Sequence, residues 1–122
     1  MTPGPGGRNG GGSFFFRLIL QRTRRRCVKG VLMREVVVIG AGLHRYGFFP
    51  EKTSVDLGTE AISRALQDAG MAWADIEAAY CGTLQPGVSG GHAICNRLGF
   101  TGLGITNVEN ASASGSSAFR EA

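Results

Sequence analysis

No aspartate or glutamate occurs among the first 32 residues of this 122-residue chain, although Arg8, Arg17, Arg22, Arg24, Arg25, Arg26 and Lys29 all fall there. Residues 33–122 carry six basic and nine acidic side chains, a balance of −3, so the overall charge of +4 belongs to the N-terminal segment. Long apolar runs are lacking too. The best candidate, Phe14 to Leu20, is far shorter than the ~20 residues of a membrane-spanning helix and is interrupted by Arg17, which excludes a span there. A secretory signal places charge before its apolar run, whereas here the arginine cluster follows it. The three cysteines, Cys27, Cys81 and Cys95, have no C-x-x-C spacing, so neither a zinc site nor a disulfide framework is expected, and no metal is assigned. Cys81 and Cys95 are expected as small buried hydrophobes in a reduced, cytoplasmic setting. Aromatics make up only 8% of the chain and glycines number 20, which bounds the molecule at one domain with a thin core.

What is present divides at Met33. Residues 1–32 form a Gly/Pro-rich, then Arg-rich, extension whose composition suits a presequence or a basic arm for nucleic acid or anionic lipid. Strand-like sequence begins directly after Met33, so Met33 is expected to be the true start. The extension is then expected to be disordered or not native, and nucleic acid is not the expected partner. Residues 33–122 are expected to form the folded part.

Glu35 to Ile39 is a β-branched run stopped by Gly40-Ala-Gly42, which predicts a buried strand followed by a turn. Gly40-x-Gly42 does not make a dinucleotide-binding motif, because the third glycine would fall at Arg45 and the residues after it read as loop. His44 lies in that loop and is expected as a solvated polar side chain. Thr53 and Asp56 have capping-box spacing. Val55, Ile62, Ala65, Leu66 and Ala69 then recur at helical spacing up to Gly70, a left-handed cap. Trp73 and Ile76 are expected to pack down ahead of a second strand, Ala78 to Gly82, and the order strand, helix, strand predicts a right-handed βαβ unit. A glycine-rich loop leads to a second helix, Gly91 to Leu98, on which His92, Asn96 and Arg97 are expected to decorate the surface.

The C-terminal stretch carries the chemistry. Ile105 to Glu109 reads as a strand and Ser114 to Ala122 as the start of a helix, so Ala111-Ser112-Ala113 must turn sharply between them. Ser112 thereby stands above the end of a sheet, beside the unpaired N–H groups of a helix's first turn. That arrangement suits a nucleophile, although Asn110, Ser112 and Ser114 are equally good helix caps.

Asn107-Val-Glu-Asn-Ala-Ser-Ala-Ser-Gly-Ser-Ser-Ala118 closely resembles the nucleophile motif of the thiolase superfamily, in the branch related to sterol-carrier-protein thiolases. The resemblance runs from about Arg34 to Ala122 and takes in Val36-Val-Val-Ile-Gly-Ala-Gly42, the helix before Asp68-Ala-Gly70, and Leu98-Gly-Phe-Thr-Gly102. It implies an α/β fold, a thiolase-like mixed sheet with crossover helices, of which this chain is the incomplete N-terminal portion. It also implies a coenzyme A thioester as substrate, no tightly bound cofactor, and a homo-oligomer for a complete protein. In active thiolases the position matching Ser112 is the acyl-carrying cysteine. A thiol there is readily a thiolate, whereas a serine hydroxyl needs a general base within hydrogen-bond reach. The family's activating His and second Cys come from motifs far downstream of Ala122.

Three functions follow. In the first, the parent protein is an acyl-CoA acyltransferase or carbon–carbon bond-cleaving enzyme of lipid or sterol metabolism, with Ser112 at the nucleophile position. In the second, it binds acyl-CoA or lipid without catalysis, and Ser112 only hydrogen-bonds the substrate carbonyl. In the third, it is an accessory protein that uses the basic arm.

Overall fold

A computed structural model describes residues 15–20, 25–28, 31–34, 36–83 and 89–122. Among the described residues six strands and three helices follow in order: β1 (Phe15–Leu20), β2 (Arg25–Val28), β3 (Val31–Arg34), β4 (Val37–Leu43), α1 (Ser54–Ala69), β5 (Ala78–Gly82), α2 (Gly90–Leu98), β6 (Gly104–Val108) and α3 (Ser114–Glu121). Single 3-10 turns stand at Trp73–Asp75 and Ala111–Ala113. β1 pairs antiparallel with β4, and β2 with β3, while β5 and β6 pair in parallel from Ala78↔Gly104 to Gly82↔Val108. The β1–β4 ladder thus crosses the compositional boundary after residue 32.

α1 starts and stops where its sequence requires. The Thr53 hydroxyl accepts from the Asp56 N–H and the Asp56 carboxylate accepts from the Thr53 N–H, which satisfies two orphan donors of the first turn. The Asp56 carboxyl is held below its ordinary range, first by the Thr53 hydroxyl, which donates to Oδ2 at 2.6 Å, and then by the Thr53 N–H. At the other end Gly70 adopts φ +65°, the left-handed cap the sequence predicts.

Two expectations are corrected here. Gly40 and Gly42 do not end the first strand; β4 runs through both to Leu43. They are glycine because α1 crosses there at backbone distance: a Cβ on Gly40 would lie 2.5 Å from the Ala65 carbonyl oxygen, and one on Gly42 would strike the Ala61 carbonyl and the Ala65 amide. The second correction concerns topology. Among the described residues β4 pairs with β1, and the parallel strand–helix–strand unit is β5–α2–β6.

The core is correspondingly small. Ile62, Leu66, Ile76, Cys81 and Ile94 form its centre, with Val55, Met71, Trp73, Leu98 and Leu103 packed around it. Trp73 also donates its indole N–H to the Gly99 carbonyl at 2.9 Å, tying the turn before β5 to the end of α2. Among the described residues no helix is long and apolar enough to cross a membrane.

Candidate functional site

The parallel pair β5–β6 has helices on opposite faces, and the surroundings of two glycines show which. A Cβ on Gly91 of α2 would meet the Cys81 Cβ at 2.8 Å and the Ile105 Cγ2 at 3.2 Å, so α2 lies on the face bearing Cys81 and Ile105. A Cβ on Gly82 would instead meet the Ser114 carbonyl oxygen at 2.6 Å and the Gly115 nitrogen at 2.8 Å. Successive strand residues point to opposite faces, so α3 covers the other side. The N-termini of α2 and α3 therefore flank the carboxyl ends of β5 and β6. In α/β folds, ligands bind outside the carboxyl ends of strands at such a change of sides.

Ser112 sits on the α3 side of these strand ends. It is exposed, and its hydroxyl makes no hydrogen bond among the described residues. The residue before it is the unusual one: Ala111 has φ +44°, a left-handed backbone that a side chain disfavours. Side chains on both sides hold it there. The Glu109 carboxylate accepts from the Ala111 N–H at 2.9 Å. The Ser114 hydroxyl, only 3% exposed, accepts from the Asn110 N–H at 2.8 Å and donates to the Ala111 carbonyl at 2.8 Å. The Asn110 amide donates to the Ser117 hydroxyl at 2.9 Å. Of the three candidate caps, Ser114 and Asn110 stitch the elbow, and Ser112 is left for the solvent side.

On the α2 side, the Gly91 N–H donates to the Asn107 Oδ1 at 2.8 Å, and the Asn107 Nδ2 lies 3.4 Å from Nδ1 of His92. His92 is exposed on the surface as expected, but its partner is Asn107 across the β6–α2 gap. Cys81 and Cys95 are the buried hydrophobes the sequence suggests. Burial pushes the Cys81 thiol up to about 11, with the Cys95 thiol adding a smaller push, and burial also raises Cys95. Both sulfurs are enclosed, unlike reactive cysteines, which sit partly exposed in electropositive surroundings. Arg97 is exposed and reaches Asp56 at 3.3 Å.

His44 departs from its expected solvated state. Only 7% of it is exposed, its Nδ1 is 2.9 Å from the Arg45 carbonyl, and its Nε2 is 2.9 Å from the Lys52 ammonium. Lys52 also donates to Glu60 at 2.8 Å, and Arg64 pairs with the same carboxylate. The Lys52 hydrogen bond is the main reason the Glu60 carboxyl is held below its ordinary range. Phe49 meets the His44 ring edge-on at 4.7 Å. This cluster braces the loop after β4 against α1, and sequence gave no sign of it beyond the presence of those residues. Among the described residues no group of His, Cys, Asp and Glu could hold a metal ion.

Comparison with known proteins places these features in context. No family model matches the chain. It is 38% identical over 92 residues to sterol carrier protein 2 of Gallus gallus, covering 72% of this chain and 17% of that one. It is 37% identical over 86 residues to a non-specific lipid-transfer protein-like 2 of Caenorhabditis elegans, covering 68% and 21% respectively. An acetyl-CoA acetyltransferase of Methanothermobacter thermautotrophicus is 37% identical over 93 residues, covering 72% and 24%. The chain thus spans no more than about a quarter of the length of these relatives. Among solved structures, 3-oxoacyl-[acyl-carrier-protein] synthase III from Aquifex aeolicus superposes with a TM-score of 0.54 at 19% identity, over 58% of this chain and 24% of that one.

Proposed function

Since the chain belongs to the thiolase superfamily, we propose that it contributes the nucleophile elbow of a protein acting on acyl-CoA thioesters, with Ser112 at the reaction centre. The observation that carries this reading is the left-handed Ala111 immediately before Ser112, held by Glu109 and Ser114. Backbone strain of this kind persists where surrounding contacts enforce it, and it concentrates at functional sites. Here it sets Ser112 at the carboxyl end of β6, beside the first turn of α3.

In the acyl-transfer form of the reading, the Ser112 oxygen attacks the thioester carbonyl, its proton passes to a base, and the CoA thiolate leaves and is reprotonated. Helix N–H groups stabilise the oxyanion that forms. In a second reading, Ser112 hydrogen-bonds the acyl carbonyl and the protein binds acyl-CoA or lipid without turnover. Both readings place the protein in lipid metabolism. We further propose residues 33–122 as the thiolase-like unit, and a homo-oligomer for the complete protein.

The discriminating experiment uses the native-length protein and acetyl-CoA. Release of CoA thiol that Ser112→Ala abolishes supports catalysis. Saturable binding without thiol release, weakened by Ser112→Ala, supports the second reading. Binding indifferent to Ser112 removes this residue from the site.

A further inference from the structure

We propose that His92 is a hydrogen-bond donor to the acyl carbonyl oxygen of the ligand, presenting Nε2–H because Asn107 occupies Nδ1. The inference rests on the acyl-CoA reading above and adds a residue that the elbow motif does not contain.

The argument starts from the Asn107 carboxamide, whose two ends are interchangeable in shape but not in bonding. Its oxygen is fixed by the Gly91 N–H, which donates to Oδ1 at 2.8 Å and would face an NH2 group if the amide were turned over. The amide nitrogen is therefore the end directed at His92, 3.4 Å from Nδ1, and a nitrogen that carries two hydrogens can only donate there. Nδ1 must then hold its lone pair, and the neutral ring carries its proton on Nε2. The contact is at the long end of hydrogen-bond range, and one assignment of both groups satisfies it.

Position makes this tautomer useful. Asn107 pairs with Cys81 one residue before the carboxyl ends of β5 and β6, and His92 is in the first turn of α2. His92 thus flanks the strand ends from the α2 face while Ser112 flanks them from the α3 face, and both are exposed. With Nδ1 engaged, Nε2–H offers a donor and no acceptor, so His92 polarises a carbonyl or steadies an oxyanion and does not take the serine proton. Asn107 is a positioning residue in this scheme: it acts only through the ring.

Long-range proton–nitrogen correlation spectra of the native-length protein above pH 7 read the tautomer directly. We expect His92 to show a protonated Nε2 and an unprotonated Nδ1. Asn107→Asp keeps an oxygen for the Gly91 N–H but offers His92 an acceptor, and should invert the pattern. Acetyl-CoA titration supplies the second arm. His92→Ala should weaken binding roughly three- to tenfold, the loss of one ordinary hydrogen bond, and His92→Gln should restore most of it. A dominant Nδ1–H form in the unmodified protein, or unchanged affinity in His92→Ala, overturns the role of His92 and leaves that of Ser112 standing. Failure of the unmodified protein to bind acetyl-CoA overturns the functional reading, and this role with it.

Discussion

Ala111 occupies a backbone region that costs a non-glycine residue about 1–3 kcal/mol. The Glu109 carboxylate and the Ser114 hydroxyl offset that cost locally. The Ser114 hydroxyl is the more exacting of them, because it is buried and serves as acceptor and donor at once, for the Asn110 N–H and the Ala111 carbonyl. Ser114→Ala removes both bonds and strands two backbone groups, so it should lower unfolding stability by about 1–3 kcal/mol. A denaturant titration with an unchanged midpoint would show that the elbow holds its shape without Ser114. Ser112→Ala, two residues earlier and exposed, should leave the unfolding stability within about 0.5 kcal/mol. Residue-scale features of this kind were only half legible. Asn110, Ser112 and Ser114 are all cap-forming types, and nothing in their order says which one is turned inward. His44 is a sharper case: its burial depends on Phe49, Lys52 and Glu60 converging from the loop and from α1, and a single sequence does not announce such convergence.

Elements were more legible wherever a local signal sufficed. The capping box at Thr53 and Asp56 and the left-handed Gly70 bound α1 through contacts within a few residues, and both were readable. Gly40 and Gly42 were misread as turn residues because their glycine requirement comes from α1, some twenty residues away in sequence. Gly82 belongs to the same class. A methyl group there would stand 2.6 Å from the Ser114 carbonyl oxygen and 2.7 Å from its carbon, both backbone atoms at the start of α3. The helix must shift for the substitution to be accommodated. Gly82→Ala should therefore cost about 1–3 kcal/mol, and it should impair any chemistry at Ser112 more than the stability loss explains. Gly115→Ala is the control: open space surrounds that position, and alanine in a helix is favoured by up to about 1 kcal/mol. If thermal unfolding shows the two variants alike, α3 is not seated against Gly82 as described.

At the scale of the whole molecule, the described strands pair in three two-stranded ladders, and α1, α2, β5 and the turn before β5 build the one small core. The arrangement of β5, α2, β6 and α3 is compact and self-consistent, whereas β1 joins through β4 alone among the strands. Removing residues 1–32 takes β1 from β4 and leaves α1, α2, β5 and β6 in place. Helical circular dichroism should persist, while the exposed Val37 and Val38 on an unpaired edge should raise aggregation. Loss of the helical signal would make the N-terminal segment integral to the fold. The central claim, that Ser112 stands where an acyl group is transferred, is tested most directly by giving that position a competent nucleophile. Ser112→Cys in the native-length protein is incubated with acetyl-CoA and weighed intact. The account predicts a gain of one acetyl group at residue 112 with release of CoA thiol. A correctly folded variant that remains unacylated would contradict it.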